Sequence, residues 1–117
     1  MHDPLCPFPL TRHLGFCLGT AVHHILRGDA DDLRKAIQCL EWEIKAPQPP
    51  ISAIAYRDAE AALDSIVNAL RGKETILSEA QADFLIALDG YIQLPSPDGG
   101  KVLLSRVIGM AGRIIGG

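Results

Sequence analysis

Residues 14–44 read LGFCLGTAVHHILRG (14–28) followed by DADDLRKAIQCLEWEI (29–44). In the first half Leu14, Leu18, Ala21, Val22 and Ile25 recur at helical spacing. In the second half Leu33, Ile37, Leu40 and Ile44 form one apolar stripe. Gly28 suits the left-handed position just past a helix end. Asp29 suits the cap of the next helix, with Asp31 and Asp32 in the first turn, where the helix dipole favours anions. A connection this short makes the two helices antiparallel neighbours. The stretch therefore predicts a helical hairpin.

Working outward, residues 1–10 hold three prolines and are expected to form an extended N-terminal arm. A single helical domain is expected over 11–117, with Thr11 capping a first helix that runs to Arg27. Prolines at 47, 49 and 50 end the hairpin, because proline cannot continue a helix. A third helix is expected to start near Pro50 to Ser52 and to stop near Gly72, with Ala55, Ala59, Ala62, Leu63, Ile66 and Leu70 facing inward. Ser78 and Gln81 have capping-box spacing for a fourth, on which Phe84, Leu85, Leu88 and Ile92 face inward. Gly90 leaves the end of that helix open. After a turn-rich loop over 95–100, a fifth helix is expected from Lys101 to Ile115, with Leu103, Leu104, Val107, Ile108, Ala111, Ile114 and Ile115 as its apolar positions. No stretch alternates with period two. The fold class is all-α: a compact bundle of about five helices.

Composition bounds the function. A chain of 117 residues, 48% hydrophobic and 21% charged, suits one globular domain. A net charge of −3 does not suggest direct nucleic-acid binding. The three cysteines, Cys6, Cys17 and Cys39, form no C-x-x-C pair, so free thiols in a reducing cytoplasm are expected. His23, His24, Arg106 and Arg113 interrupt the longest apolar stretches, so no membrane association is expected.

Motifs that carry chemistry are sparse. Gly99-Gly100-Lys101 lacks both the leading glycine and the preceding strand of a phosphate loop. Cys17 and His24 share a helix face two turns apart, too far for one ion, so no metal and no cofactor are expected. Glu60 with Asp64, and Glu79 with Asp83, have the spacing of paired carboxylates, but no doubled magnesium motif occurs. No catalytic residue can be assigned, so binding is expected rather than catalysis. Candidate partner- or ligand-binding residues are Arg12, His23, His24, Arg27, Arg34, Lys35 and Trp42. The four basic residues could cluster on the hairpin and meet an anionic ligand or acidic partner, or they form an ordinary charged face paired with Asp31, Asp32 and Glu41. The histidines, being adjacent, point about 100° apart, so one should face the neighbouring helix and the other solvent. Trp42 lies off the apolar stripe and either covers the core edge or stands as a partner anchor. Ser105, Gly109 and Gly112 share a face of the last helix. They serve either close packing inside the domain or self-association as a homodimer.

The hairpin resembles a family of small bacteriophage proteins, some described as phage nucleotide kinases. The resemblance rests on Phe16-Cys-Leu18-Gly19-Thr20-Ala21-Val22-His23-His24-Ile25-Leu26-Arg27-Gly28, then Asp32-Leu33-Arg34-Lys35-Ala36 and Leu40-Glu41. It covers about a third of the chain. Where the family carries asparagine, lysine and tyrosine, this chain has Thr20, His23 and His24, and Cys39 replaces a tyrosine. Lysine and tyrosine are the residue types suited to touch a phosphate or base, and they are the ones changed. What the resemblance implies is a helical scaffold in a phage or prophage setting, acting in the cytoplasm of the infected host. Two function classes follow. One is a binding protein that inhibits a host factor, concretely an anti-defence inhibitor of the anti-CRISPR type acting on a Cas component. The other is a nucleotide-binding protein or phage nucleoside monophosphate kinase. A structural or regulatory phage protein is a third reading.

Overall fold

The computed structural model describes residues 5–115, with side-chain surroundings as far as Arg113. Six helices follow in order: α1 (Phe8–Thr11), α2 (Phe16–Arg27), α3 (Ala30–Lys45), α4 (Ala53–Lys73), α5 (Ile76–Gln93) and α6 (Pro97–Ile115). No strand occurs among the described residues. The five long helices are those expected, and α1 is an addition.

The hairpin forms as the sequence predicts. Gly28 takes the left-handed conformation (φ 77°) and closes α2 with its N–H on the His24 carbonyl. The Asp29 side chain accepts the Asp32 N–H, 2.9 Å away, and so caps α3. Leu18, Ala21, Val22 and Ile25 of α2 and Leu33, Ala36 and Leu40 of α3 are fully buried. Ile37 is only partly buried. The stripe on α3 is thus rotated toward Ala36 and Cys39.

α3 packs on both α2 and α6. Gly100 sits so close to Ile44 that a Cβ there would lie 2.8 Å from Ile44 Cγ1. The start of α6 thus meets the end of α3, and the two run antiparallel. α5 packs on α4 and α6, and α1 packs on α4 and α2. The molecule measures 41 × 37 × 19 Å, about two helix diameters thick. A slab this thin leaves one flank of most helices facing water.

Five expectations need correction. The stretch over 1–10 is not wholly extended where described, because α1 occupies Phe8–Thr11 and buries Leu10 completely. Thr11 therefore ends α1, and α2 begins after Gly15. The cap of α5 is Thr75, whose hydroxyl accepts the Ser78 N–H while Ser78 Oγ accepts the Thr75 N–H. Gln81 is drawn elsewhere. Its side-chain amide donates to the Ile25 carbonyl at 2.8 Å and fastens α5 onto the end of α2. α6 begins at Pro97, where Ser96 Oγ accepts the Gly99 N–H, so the expected loop over 95–100 is already helical in its second half. Ile108 is 52% exposed, whereas Met110 is buried. The Ile114 and Ile115 side chains lie outside the described residues.

Candidate functional site

The expected basic cluster is divided by the fold. Arg27 and Lys35 line an open cleft of about 500 Å³ at the start of α3, together with Asp29, Ala30, Asp31 and Asp32. Arg34 turns to Asp31, its Nη1 2.8 Å from the Asp31 carboxylate, in a pair exposed on both sides. Arg12 lies elsewhere, in a shallow groove lined also by Phe8, Phe16, Gly19, Thr20 and His23. The cleft beside α3 therefore holds two cations among three acids and has no strongly positive field.

The two histidines diverge as their spacing requires. His24 Nδ1–H donates to Asp32 Oδ1 at 2.8 Å, joining α2 to α3 beside the Gly28 turn. That hydrogen bond holds the Asp32 carboxyl below the usual carboxylate range, against the opposing effect of burial. His23 is exposed, with Nε2 3.3 Å from the Thr11 hydroxyl. Burial, with Arg27 and His24 nearby, lowers its pKa, which favours the neutral ring. Trp42 stands half exposed on the outer flank of α3. Cys39 is buried, as an apolar filler would be.

The polar residue that sequence reasoning missed is Glu43. It is 3% exposed, yet its Oε2 accepts both the Tyr91 hydroxyl (2.7 Å) and the Gln48 N–H (2.8 Å). Tyr91 is also buried, and desolvation with the adjoining carboxylate drives its pKa well above the ordinary phenol range. The Gln48 side chain in turn accepts the Gly15 N–H at 2.8 Å. This chain of bonds ties α5, α3, the proline linker and the start of α2. Tyr56 lies 2.6 Å from Asp89 and 2.7 Å from Glu60. Having one proton, its hydroxyl donates to one carboxylate at a time, and these partners raise its pKa. Glu60 is thus engaged by a phenol. Among the described residues no group of three or more His, Cys, Asp or Glu could hold a metal ion.

An open, partly apolar region lies on the flank shared by α5 and α6. Ser105, Gly109 and Gly112 are exposed, and a Cβ on either glycine would meet nothing within 4 Å. The reading of this stripe as internal packing is therefore overturned. Beside it a cleft of about 300 Å³ is lined by Ile76, Leu77, Ala80, Met110 and Arg113. A second hollow shares Ala80, Met110 and Arg113 and adds Asp83, Ser105, Arg106 and Gly109. Ile76 is 74% exposed at the mouth of this region. Sequence reasoning missed this cleft because it started α5 after Ser78 and so left Ile76 and Leu77 in a loop.

No family model matches the chain, and no curated protein or solved structure matches it at a significant level. No helix among the described residues is long and apolar enough to cross a membrane.

Proposed function

We propose that this chain is a small protein of phage or prophage origin that works by stoichiometric binding to another protein. Its most concrete form is an anti-defence inhibitor of the anti-CRISPR type, acting on a Cas component in the host cytoplasm. The supporting observation is the open α5–α6 flank, where Ile108, Gly109 and Gly112 face outward beside an apolar cleft. Glycine in a helix costs about 1 kcal/mol relative to alanine, and no internal packing at Gly109 or Gly112 offsets it. A smooth, small-residue helix face next to an apolar hollow suits the close approach of a partner helix. Trp42, half exposed on α3, offers a second anchor of the type enriched in binding hot spots. The phage setting is supported by the resemblance of the hairpin.

The test compares phage with and without the gene on hosts carrying a defence system, alongside purification of the complex. Protection is expected, with a defined stoichiometry. Gly109→Glu should abolish it while leaving the fold intact, because nothing surrounds that position. Equal plating with and without the gene, and no complex with any defence component, would overturn the reading.

A nucleotide-binding reading has one observation of its own: Arg27 and Lys35 line the same open cleft. Thermal-shift measurements with nucleoside monophosphates and ATP test it. A shift that Arg27→Ala and Lys35→Ala remove would favour this reading over protein binding. The third reading, a structural or regulatory phage protein that self-associates through α6, predicts a dimer in sedimentation that Gly109→Glu dissolves.

A further inference from the structure

The antiparallel packing of α2 on α3 sets Cys17 opposite Cys39. His24 on α2 and Asp32 on α3 are in direct contact, which fixes the pairing of the two helices. Cys17 precedes His24 by seven residues, and Cys39 follows Asp32 by seven. Seven residues are two turns, which return each helix to nearly the same face. Moving two turns from the His24–Asp32 contact, away from the Gly28 bend, therefore arrives at Cys17 and Cys39 together. The Cys17 thiol does lie close enough to act electrostatically on Cys39. The helices can approach closely here, because Ala21 on α2 and Ala36 on α3 are small and fully buried.

The two thiols differ in access. Cys17 is partly exposed, whereas Cys39 is buried. Burial pushes the Cys39 thiol up and shields it from a soluble disulfide, so Cys17 is the thiol that reacts first. This is the division between an attacking and a resolving cysteine.

We propose that Cys17 and Cys39 form a reversible redox couple that staples α2 to α3 when the chain meets an oxidised low-molecular-weight disulfide such as glutathione disulfide. The Cys17 thiolate attacks one sulfur of that disulfide. The S–S bond breaks, one thiolate leaves and takes up the proton Cys17 has lost, and a mixed disulfide remains on Cys17. Cys39 then gives up its proton and attacks Cys17 Sγ, expelling the second small thiolate, which takes that proton. Two protein thiols are oxidised and one small disulfide is reduced to two thiols.

The test incubates the reduced full-length chain with glutathione disulfide, quenches with an alkylating agent and maps the peptides by mass spectrometry. The expected product is a monomer lighter by two hydrogens, with Cys17 and Cys39 peptides joined and dithiothreitol reversing the link. Closing the loop between them should raise Tm by about 10 °C. Cys17→Ser should abolish the reaction. Cys39→Ala, which keeps a small apolar side chain in the core, should leave a glutathione adduct stranded on Cys17. Cys6→Ser should change neither result. A wild-type chain that keeps the adduct unresolved, links through Cys6, joins only to a second chain or fails to react overturns the proposal.

Discussion

The α2–α3 hairpin and the α5–α6 flank use glycine in opposite ways. At Gly28 the backbone turns through a left-handed conformation, and a Cβ would meet Gln81 Nε2 and Leu77 Cδ2 at 3.0 Å. At Gly109 the backbone is an ordinary helix and a Cβ would meet nothing. The first glycine is required by the fold. The second is tolerated by it at a small cost. A region whose residues satisfy one another inside the domain is made for folding, and a region left open at the cost of stability is available for something else.

The largest expected effect breaks the hairpin side of this contrast. Gly28→Ala should destabilise the chain by about 2–3 kcal/mol. Part is the left-handed conformation imposed on a Cβ-bearing residue, roughly 1–2 kcal/mol. The rest is displacement of Gln81, whose amide satisfies the Ile25 carbonyl at the end of α2. Urea unfolding should show a lower midpoint with an unchanged slope. An unchanged midpoint would mean that the turn contributes nothing to stability.

The second effect concerns the His24–Asp32 contact and carries a pH signature. The folded Asp32 carboxyl is held below its ordinary value of 3.8, chiefly by His24. The unfolded state therefore binds more protons as the pH falls toward and below that value. The stabilisation is fully present above the unfolded pKa and is lost as pH falls through the folded one. Asp32→Ala should cost about 1.5–3 kcal/mol at neutral pH, as loss of a hydrogen bond to a charged group does. The difference from wild type should shrink below about pH 4. A mutant gap that stays constant into acid would contradict the assignment.

How much of this was legible follows from how far apart the partners lie. The Gly28–Asp29 turn could be read because every group that satisfies it is within a few residues. The cap of α5 could not be fixed in the same way. Ser78–Gln81 and Thr75–Ser78 both have capping spacing, and the choice depends on the Ile25 carbonyl, 56 residues from the Gln81 that it captures. Nothing near Glu43 in the sequence marks it as buried, because the Tyr91 hydroxyl that accompanies its burial lies 48 residues away. The pairing of Arg34 with Asp31 was legible because the two lie one turn apart, whereas the placement of Arg12 in a separate groove depends on the short α1 that spacing does not show. Period alone also leaves the rotation of α6 open: Ile108 counts among its apolar positions and Met110 does not, yet Met110 is the one that is buried.

The smallest effect has the opposite sign and tests the other side of the contrast. Gly109→Ala adds a methyl group where nothing stands within 4 Å and replaces the residue with the highest backbone freedom in an α-helix. The chain should become more stable by about 0.5–1 kcal/mol, visible as a raised urea midpoint. The same substitution thickens the face that a partner helix would approach, so affinity for a bound protein should fall while stability rises. The two readouts separate the explanations for this glycine. Gain of stability with unchanged binding would mean that the open flank of α6 is not the contact surface, and Trp42 on α3 would become the anchor to test next. Loss of stability would mean that Gly109 has an internal role after all, contrary to the open space around it. Gain on one axis with loss on the other is what a residue kept for a partner predicts.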